Sequence, residues 1–374
     1  MADYFAPLGA IDDWVGEQAV PGVSVAVWHQ GEIVATRFAG FARDGAPVDD
    51  STLFALASVS KPLTAAALML AADAGELSLD TPVAAIVPEF GEVDDPLDND
   101  VVPQLEALRG RVTVRHLLCH TSGLPENVGV KRIRMREQPS LGKITDAMCG
   151  LPLLSAPGEV LRYSNAGFGI AARAVERATG GPFHELLQQR LLDAMGLDEI
   201  ALKPDASWND RLAWTTEATA AGTPTESYNS PYWRALGLPW GGYFGTAAAL
   251  ARFAASFFPK QQSPLAAATR AEMIEDQTGG VSGGVASAAV HWGRGAWGLG
   301  WEVAGDKRNH WTGSLRSPRT FCHWGQSGTL VWADPDRALA LAVFGNRAVH
   351  NPWPLKPPRW AELSDALVAT ADAG

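Results

Sequence analysis

The chain contains few cysteines. Cys119, Cys149 and Cys322 are the only three among 374 residues, and they lie far apart along the sequence. This number and spacing exclude a disulfide framework and a cysteine-rich metal cluster, so we expect three buried, reduced thiols. His116 and His120 belong to a segment typical of a helix followed by a turn, and we expect structural roles for both. No metal and no cofactor are expected.

Long apolar runs and a surplus of basic residues are also missing. No apolar run approaches the roughly 20 residues that a helix needs to cross a bilayer. Lysine and arginine total 30 against 41 aspartates and glutamates, which leaves a net charge of −11. Nucleic acids and anionic membranes attract basic surfaces, so this balance disfavours both as partners. We therefore expect a small-molecule partner, no nucleic acid and no membrane; the oligomeric state is not predicted.

The start of the chain and its bulk composition indicate a globular cytoplasmic protein. The stretch MADYFAPLGAIDDWVGEQ has neither the basic start nor the apolar segment of a secretory signal peptide, which predicts a cytoplasmic location. Hydrophobic residues make up 47% and charged residues 19%, both ordinary for a globular fold. A length of 374 residues predicts two domains or one large domain in two parts.

What the chain does have is a change of pattern along its length. Residues 21–42 alternate apolar and polar around a turn at Gln30 and Gly31, which predicts a β-hairpin. Residues 319–347 predict three further strands, and residues 360–374 a terminal helix. An Asp-rich surface loop and several helices are predicted between these ends, with the loop at 92–100 and the helices at 58–75, 81–90, 113–124, 165–180, 182–197 and 246–258.

This order of elements predicts a layered α/β fold. Strands from both chain ends would form one antiparallel sheet flanked by helices, and a mainly helical region would be inserted between them. Residues 1–80 and 285–374 would form the α/β subdomain, and residues 81–284 the mainly helical subdomain. The active site would lie between the two.

The segment LFALASVSKPLTAAALMLAADAGEL, residues 53–77, contains a Ser-x-x-Lys motif. Ser58 and Lys61 would share one face at the start of an almost wholly apolar helix. Desolvation lowers the pKa of a lysine and lets it accept a proton, and a serine hydroxyl needs such a base to become a nucleophile. Taken alone, the motif fits a catalytic pair and a plain helix N-cap equally well.

Two other motifs compete for the role of nucleophile. Ser140 and Lys143 repeat the same spacing, but Pro139 and Gly142 place them in a loop or at a frayed helix start. The stretch GVSGG at residues 280–284 fits the G-x-S-x-G pattern. A nucleophile elbow joins a strand to a helix, and no such pattern surrounds this stretch, so we expect a flexible loop.

Two further motifs follow the first serine in chain order, Y-S-N at residues 163–165 and H-W-G at residues 323–325. Each alone has an ordinary explanation as a core tyrosine, a helix cap or a strand histidine. The order S-x-x-K, Y-x-N, H-x-G resembles the serine β-lactamase and penicillin-binding protein superfamily. The similarity is greatest to its class C β-lactamase-like branch, which includes family VIII carboxylesterases, D-aminopeptidases and acyltransferases. The segments LLCHTSGLP, PGEVLRYSNAGFGI, GGYFGTAAALARF and HWGQSGT extend the resemblance over nearly the whole chain.

The resemblance implies a role for each motif residue. Ser58 would attack a substrate carbonyl and become acylated, while Lys61 and Tyr163 would share the proton transfers. The ammonium group of Lys61 would favour the phenolate of Tyr163, so that the tyrosine acts as a base. Asn165 would hydrogen-bond Lys61 and the acyl side of the substrate. The backbone N–H groups of Ser58 and Gln326 would form the oxyanion hole.

The third motif departs from the usual pattern of this superfamily, K-T-G. The resemblance implies that His323, Trp324 and Gly325 bind substrate, with the glycine allowing close approach to the strand. Histidine is mostly neutral near pH 7, so the usual positive anchor for a substrate carboxylate is missing. We therefore expect weak β-lactamase activity at best. The Trp-rich stretch 230–244 would supply apolar walls or pack in the core, and the basic stretch 131–138 would be a solvated face or a rim of the site.

The motifs together predict a serine hydrolase that works through an acyl-enzyme on Ser58. A carboxylesterase acting on small or apolar acyl esters is the leading interpretation, with a small-molecule ester or amide as partner. An acyltransferase would pass the acyl group to an acceptor other than water, and an amidase or D-aminopeptidase would cleave an amide. A non-catalytic binding protein on the same fold is the remote alternative, because a retired site would be free to lose Ser58, Lys61 and Tyr163.

Overall fold

Strands from both ends of the chain meet in one sheet. The computed structural model describes residues 2–91 and 102–374 of the protein. Its strands are β1 (Gly22–His29), β2 (Glu32–Arg43), β3 (Ala46–Pro47), β4 (Phe54–Ala55), β5 (Leu161–Arg162), β6 (Ile200–Ala201), β7 (Phe244–Gly245), β8 (Gly283–Val285), β9 (Val290–Trp292), β10 (Glu302–Val303), β11 (Phe321–Gly325), β12 (Thr329–Asp334) and β13 (Leu339–Gly345). The main sheet has the order β10-β11-β12-β13-β1-β2-β3, and two small sheets have the orders β4-β7-β6 and β5-β8-β9.

The pairing of β1 with β13 joins the two ends of the chain. The sequence of β1, GVSVAVWH, is buried along all but its last residue, as is expected of an apolar strand covered on both faces. The antiparallel register with β13 runs from Val23 opposite Gly345 to His29 opposite Leu339. The turn into β2 uses residues 30–31, both with positive φ. The predicted hairpin and the predicted shared sheet are confirmed.

Helices cover both faces of the main sheet. They are α1 (Phe5–Leu8), α2 (Ala10–Gly16), α3 (Ser60–Asp73), α4 (Val83–Ile86), α5 (Pro103–Glu106), α6 (Val114–Leu118), α7 (Leu141–Cys149), α8 (Asn165–Thr179), α9 (Phe183–Leu187), α10 (Asp193–Met195), α11 (Pro231–Leu236), α12 (Ala247–Ala255), α13 (Ala267–Ile274) and α14 (Arg359–Ala373). The first two helices and α14 share an apolar core with one face of the sheet. The other face packs on α12, in a larger core that also includes α3 and α8. This arrangement confirms the predicted layered α/β fold class.

Helix α3 is buried around its whole circumference at the centre of the larger core. Every residue from Ser60 to Ala71 is buried, as the apolar sequence predicts. Pro62 lies in the first turn, where its missing N–H breaks no helical hydrogen bond. The prediction of a buried helix here is confirmed, except that Ala57–Val59 forms a separate 3-10 turn ahead of it.

Two helices are shorter than predicted. The helix predicted over 113–124 ends at Leu118, because His120 adopts a φ of 60° and leaves the helical path. The helix predicted over 81–90 is reduced to α4 and a 3-10 turn at Pro88–Gly91. In both cases the apolar spacing of a helix was present, and contacts with the rest of the protein ended the helix early.

The expectation of a flexible loop around Ser282 is wrong. Gly283–Val285 forms β8, which pairs in parallel with β5 and in antiparallel fashion with β9. A Cβ at Gly283 would lie 1.9 Å from Leu161 O, and one at Gly284 would lie 2.1 Å from Val290 O. The glycines that suggested flexibility therefore allow close strand packing instead.

The division of the chain into residues 1–80 with 285–374 and residues 81–284 stays a prediction. Helix α12 belongs by sequence to the middle region but packs on β1 and β13. The Asp-rich loop predicted at 92–100 lies outside the described residues. Among the residues that are described, no helix combines the length and the apolar character needed to cross a membrane.

The end of β11 lies against the backbone that leads into α3. A Cβ at Gly325 would lie 2.3 Å from Leu56 O and 2.4 Å from Thr329 Oγ1. The hydroxyl of Thr329 donates to Leu56 O at 3.0 Å, and that of Ser327 donates to Ala55 O. Glycine is the residue that fits at position 325, and the neighbouring hydroxyls hold the backbone just ahead of the Ser-x-x-Lys motif.

Gly325→Ala is expected to lower the free energy of unfolding by about 1–3 kcal/mol, because the added Cβ forces a backbone carbonyl aside. The quantity is measured by urea denaturation. Gly293→Ala is the matched control, since a Cβ there meets nothing within 4 Å. A small and equal effect of both substitutions would contradict the close packing at residue 325.

Candidate active site

Ser58 lies in the Ala57–Val59 turn, at the wall of a cleft. Ala57 has a φ of 45°, in the left-handed region that residues with a Cβ rarely adopt. The cleft has a volume of about 480 Å³, which is within the usual range for small-molecule sites. A strained backbone thus presents the hydroxyl of Ser58 to a cavity of substrate size.

Lys61 directs its amino group at the serine one turn earlier. Nζ lies 3.0 Å from Ser58 Oγ and 2.9 Å from Trp240 O, within hydrogen-bonding distance of both. The side chain is fully buried, and this burial lowers the pKa of Lys61 well below 10.5; the nearby Glu126 carboxylate opposes the shift. The structure therefore brings the two motif residues together, with a lysine that readily loses its proton.

The loop between α11 and β7 covers Lys61 and keeps water away from it. Besides the carbonyl of Trp240 and the bonds of Pro239 and Tyr243 to Thr64, this loop forms two bonds close to the motif. Leu56 N donates to Tyr243 O at 2.8 Å, and Tyr243 N donates to Ser60 Oγ at 3.2 Å. The sequence drew attention to this stretch through its aromatic residues, but it could not show the carbonyl contact.

Tyr163 lies between β5 and α8, and its side chain lies beside that of Lys61. Its ring centroid lies 4.8 Å from Lys61 Nζ. Burial raises the pKa of Tyr163 well above 10, and the neighbouring Ser58 side chain offsets this only in part. The expectation that Lys61 stabilises a phenolate is therefore wrong for the resting site. Tyr163 is a neutral phenol there, and Lys61 has the character of a base.

The ring of His120 packs against the ring of Tyr163, a role that the sequence did not indicate. Its ring centroid lies 4.4 Å from that of Tyr163 and 4.8 Å from that of Trp297. Nδ1 of His120 accepts a hydrogen bond from Ser164 N at 3.0 Å. His116 interacts with Thr113 in the cap of α6, as a structural residue would. Structural roles for both histidines stay a prediction, and His120 packs directly against the ring of Tyr163.

Asn165 lines the cleft but does not make the expected contact with Lys61. Its Nδ2 donates to Asn127 Oδ1 at 2.7 Å, and its own Oδ1 is buried without a partner among the described residues. The cap of α8 is Ser164, whose Oγ accepts from Gly167 N at 3.1 Å. Asn165 is therefore not the helix cap, and its carbonyl oxygen is available to a ligand.

The third motif runs along β11 at the cleft. His323 is 2% exposed, and its Nδ1 lies 2.9 Å from Trp324 O. Burial and the nearby charge of Lys61 lower the pKa of His323 to about 3. His323 is therefore neutral at physiological pH, which agrees with the loss of a positive anchor at this position. Trp324 also lines the cleft, while Gly325 packs against the backbone of residue 56.

The predicted oxyanion hole consists of two backbone N–H groups at the cleft wall. Ser58 and Gln326 both line the cleft. Within the described residues, neither N–H donates to a backbone carbonyl. The carbonyl of Gln326 accepts from Val349 N at 2.8 Å, which holds this peptide in place. The two donors are therefore free to stabilise negative charge on a substrate oxygen.

Aromatic side chains form much of the cleft wall, namely Tyr228, Trp233, Trp240, Trp297 and Trp324. Two of the tryptophans come from the stretch 230–244, so this stretch lines the site, one of the two alternatives left open by the sequence. The basic stretch 131–138 contributes Met135 to the wall. Its Lys131, Arg134 and Arg136 line a neighbouring hollow.

Glu126 brings a carboxylate into the cleft and was missed at the level of sequence. One oxygen accepts from Ser287 Oγ at 2.6 Å and the other from Ser287 N at 3.1 Å. Its backbone carbonyl accepts from Asn165 N at 2.8 Å. Nothing in the short stretch LPENVG marks this glutamate, since its place in the site depends on how the loop after α6 folds.

The competing serines lie elsewhere. Ser140 is the N-cap of α7, and its hydroxyl accepts from Lys143 N at 3.3 Å. Ser282 precedes β8, and its carbonyl accepts from Leu161 N at 2.9 Å. A strand follows Ser282 rather than a helix, so it is not a nucleophile elbow.

One cluster contains the side-chain types that bind metals. Atoms of Glu302, His310 and Cys322 lie within 4.8 Å of one another and are buried. Lys307 Nζ already donates to Glu302 Oε1 at 2.7 Å. Burial opposes ionisation of Glu302, yet Lys307 and His310 hold its pKa at about 2, and burial raises the pKa of the Cys322 thiol well above 9. These contacts favour an internal ion pair between Glu302 and Lys307. Lys307 Nζ also donates to Ala296 O at 2.8 Å, which holds the segment that leads to Trp297.

Comparisons with known proteins identify the family of this chain. The Beta-lactamase family model matches residues 2–364. Penicillin-binding protein 4 of Amycolatopsis lactamdurans is 30% identical over 292 residues, covering 76% of this chain and 72% of that protein. Esterase EstB of Burkholderia gladioli is 32% identical over 215 residues, covering 52% and 51%. The crystal structure of a β-lactamase from Mycobacterium bovis has a TM-score of 0.65 at 28% identity, over 96% of this chain and 98% of the other. The chain belongs to the β-lactamase family.

Proposed function

We propose that this serine hydrolase is a carboxylesterase that forms an acyl-enzyme on Ser58. The observation that carries the proposal is the 3.0 Å contact between Ser58 Oγ and the amino group of Lys61. Burial lowers the pKa of that lysine, and the pair opens onto a cleft with aromatic walls. A serine beside a desolvated amine is an activated nucleophile.

The first half of the reaction transfers the acyl group to the enzyme. Neutral Lys61 accepts the hydroxyl proton as Ser58 Oγ attacks the ester carbonyl. The backbone N–H groups of Ser58 and Gln326 stabilise the charge that develops on the carbonyl oxygen. Tyr163, whose side chain lies beside Ser58 and Lys61, donates a proton to the departing alkoxide and is reprotonated from Lys61. The alcohol leaves, and the acyl group remains as an ester on Ser58.

Water completes the cycle by attack on the acyl-enzyme. Lys61, neutral again after its proton has passed through Tyr163 to the alcohol, accepts a proton from the water. Oγ of Ser58 leaves the carbonyl carbon and recovers a proton from the same network. The products are a carboxylic acid and the free enzyme. An alcohol in place of water would give acyl transfer by the same steps.

The substrate class follows from the residues around Ser58. His323 is neutral, and the arginines of the stretch 131–138 do not line the cleft. A carboxylate-bearing substrate therefore lacks the ion pair that would hold it. The walls of Trp233, Trp297 and Trp324 suit an apolar acyl group instead.

Hydrolysis of p-nitrophenyl acetate, butyrate and octanoate, measured beside nitrocefin, tests the proposed specificity. We expect kcat/KM for the best ester to exceed that for nitrocefin by about tenfold or more, because one charged hydrogen bond is worth roughly 1.5–3 kcal/mol. Nitrocefin turnover equal to ester turnover would contradict the substrate argument. A stable acyl adduct by intact-mass analysis, without turnover, would favour an acyltransferase.

The role of Lys61 gives a distinct pH profile. The amine acts as a base only when neutral, so kcat/KM falls as the pH drops through its lowered pKa and levels off well below pH 10.5. Lys61→Arg keeps the charge but cannot accept a proton, and we expect a loss of about 10²–10⁴-fold in kcat/KM. The matched control is Lys143→Arg in the second Ser-x-x-Lys motif, which is expected to retain activity. A rate that keeps rising to about pH 10.5, or an active Lys61→Arg enzyme, would show that another group is the base.

A further inference from the structure

The cleft offers a ligand a carboxylate that has no cationic partner. The side chain of Glu126 lines the cleft and is held by two hydrogen bonds from Ser287. Among residues 2–91 and 102–374, Glu126 forms no ion pair within 4.0 Å, although Lys61 is near enough for the carboxylate to act on its pKa. The two bonds from Ser287 orient the carboxylate, and neither of them brings a positive charge to it.

His323, which lines the same cleft, contains an unpaired acceptor. Its Nδ1 faces the carbonyl oxygen of Trp324 at 2.9 Å, and a carbonyl can only accept, so Nδ1 carries the proton. In the neutral ring Nε2 then has a free lone pair. That atom is buried and has no partner among the described residues. A group that pairs with Nε2 must be a hydrogen-bond donor, and it reaches this atom only when the surrounding side chains shift.

A third acceptor lies beside these two. Oδ1 of Asn165 is buried without a partner, in a residue that also lines the cleft. Glu126 and His323 are acceptors whichever way the side-chain amide of Asn165 is oriented. Three residues that line the cleft thus carry acceptor atoms, beside the indole N–H donors of Trp233 and Trp297, where the usual motif of the family presents a positive lysine.

The aromatic walls of the cleft also favour a cation. Trp233, Trp297 and Trp324 line the cleft that contains Glu126. The face of an aromatic ring attracts a cation, and most strongly when the ring is that of tryptophan. Inside a partly enclosed cleft, both the carboxylate and these rings favour a positive group more than they would in water.

We propose that the substrate carries an ammonium group, which binds to Glu126 and the tryptophan walls and donates a hydrogen bond to a cleft acceptor such as His323 Nε2. This inference rests on the proposed function and narrows it from apolar acyl esters to esters or amides that bear an amine. The reaction at Ser58 is unchanged. The recognition is the opposite of an anion anchor, since the cleft supplies negative charge and lone pairs.

Two matched substrate pairs test the inference. In each pair an ammonium group replaces a methyl group, on the acyl side in p-nitrophenyl 6-aminohexanoate against p-nitrophenyl heptanoate, and on the alcohol side in 5-aminopentyl butyrate against hexyl butyrate. At pH 7 we expect kcat/KM for the ammonium member of at least one pair to be tenfold or more above that of its neutral partner. Equal or lower values in both pairs would overturn the inference.

The variant Glu126→Gln identifies the group responsible. We expect the ratio of kcat/KM between the ammonium and neutral substrates to fall at least fivefold, whatever happens to the absolute rates. The control Glu137→Gln removes the same charge from an exposed glutamate that pairs with Arg134 and does not line the cleft. Its ratio is expected to stay at the wild-type value. A ratio that is unchanged in Glu126→Gln would rule out this carboxylate as the recognition group.

The outcomes separate this inference from the proposed function. Turnover of the neutral esters without an ammonium preference would refute the inference alone. Absence of any turnover and of any acyl adduct would refute the proposed function, and ligand binding then decides the inference. By tryptophan fluorescence, n-hexylammonium is expected to bind at least fivefold more tightly than 1-hexanol, and Glu126→Gln is expected to remove the difference. Equal binding of the two would count against the inference.

Discussion

The contact between Ser58 Oγ and the Nζ of the fully buried Lys61, 3.0 Å long, is the interaction on which the rest of the structure depends. Burying a lysine is unfavourable unless its polar end finds acceptors or it gives up its charge. Here it has two acceptors, the serine hydroxyl and a backbone carbonyl, and burial lowers its pKa. The same burial that would destabilise an ordinary surface lysine makes this one a base.

Keeping Lys61 buried and Ser58 fixed requires distant parts of the chain. Lys61 lies on the buried helix α3, and the loop ending at Tyr243 closes over it. The end of β11 holds the turn ahead of Ser58 through Gly325 and neighbouring hydroxyls. The junction of β5 and α8 brings in Tyr163, with His120 beneath its ring. The antiparallel sheet that joins both chain ends brings all of these segments to the same site.

Much of this was predictable from local patterns. The apolar alternation of β1 and β2 and the unbroken apolar run of α3 reflect burial. Buried segments can be recognised from the number and the spacing of apolar residues in the sequence. The joint order of Ser58, Tyr163 and His323 was likewise sufficient to indicate the site. Contacts that use backbone atoms or an unremarkable side chain were not predictable. The carbonyl of Trp240 and the carboxylate of Glu126 reach the cleft only because of how their loops fold.

The protonation states of Lys61 and Tyr163 could not be predicted from the sequence, for a related reason. Proximity to a lysine ammonium suggested a phenolate at Tyr163, but desolvation raises the pKa of the phenol and lowers that of the amine, which favours the neutral form of each. Which effect wins depends on how completely water is excluded, and that is a property of the packed core. The resting site therefore contains a neutral phenol and an easily deprotonated lysine.

Labelling with a fluorophosphonate, followed by peptide mapping, tests the central claim most directly. A serine activated by a buried lysine is expected to react once per chain, with the adduct on Ser58, and Ser58→Ala is expected to be unlabelled and inactive while still folded. An adduct on Ser282 or Ser140, or hydrolytic activity that survives in folded Ser58→Ala, would contradict the account.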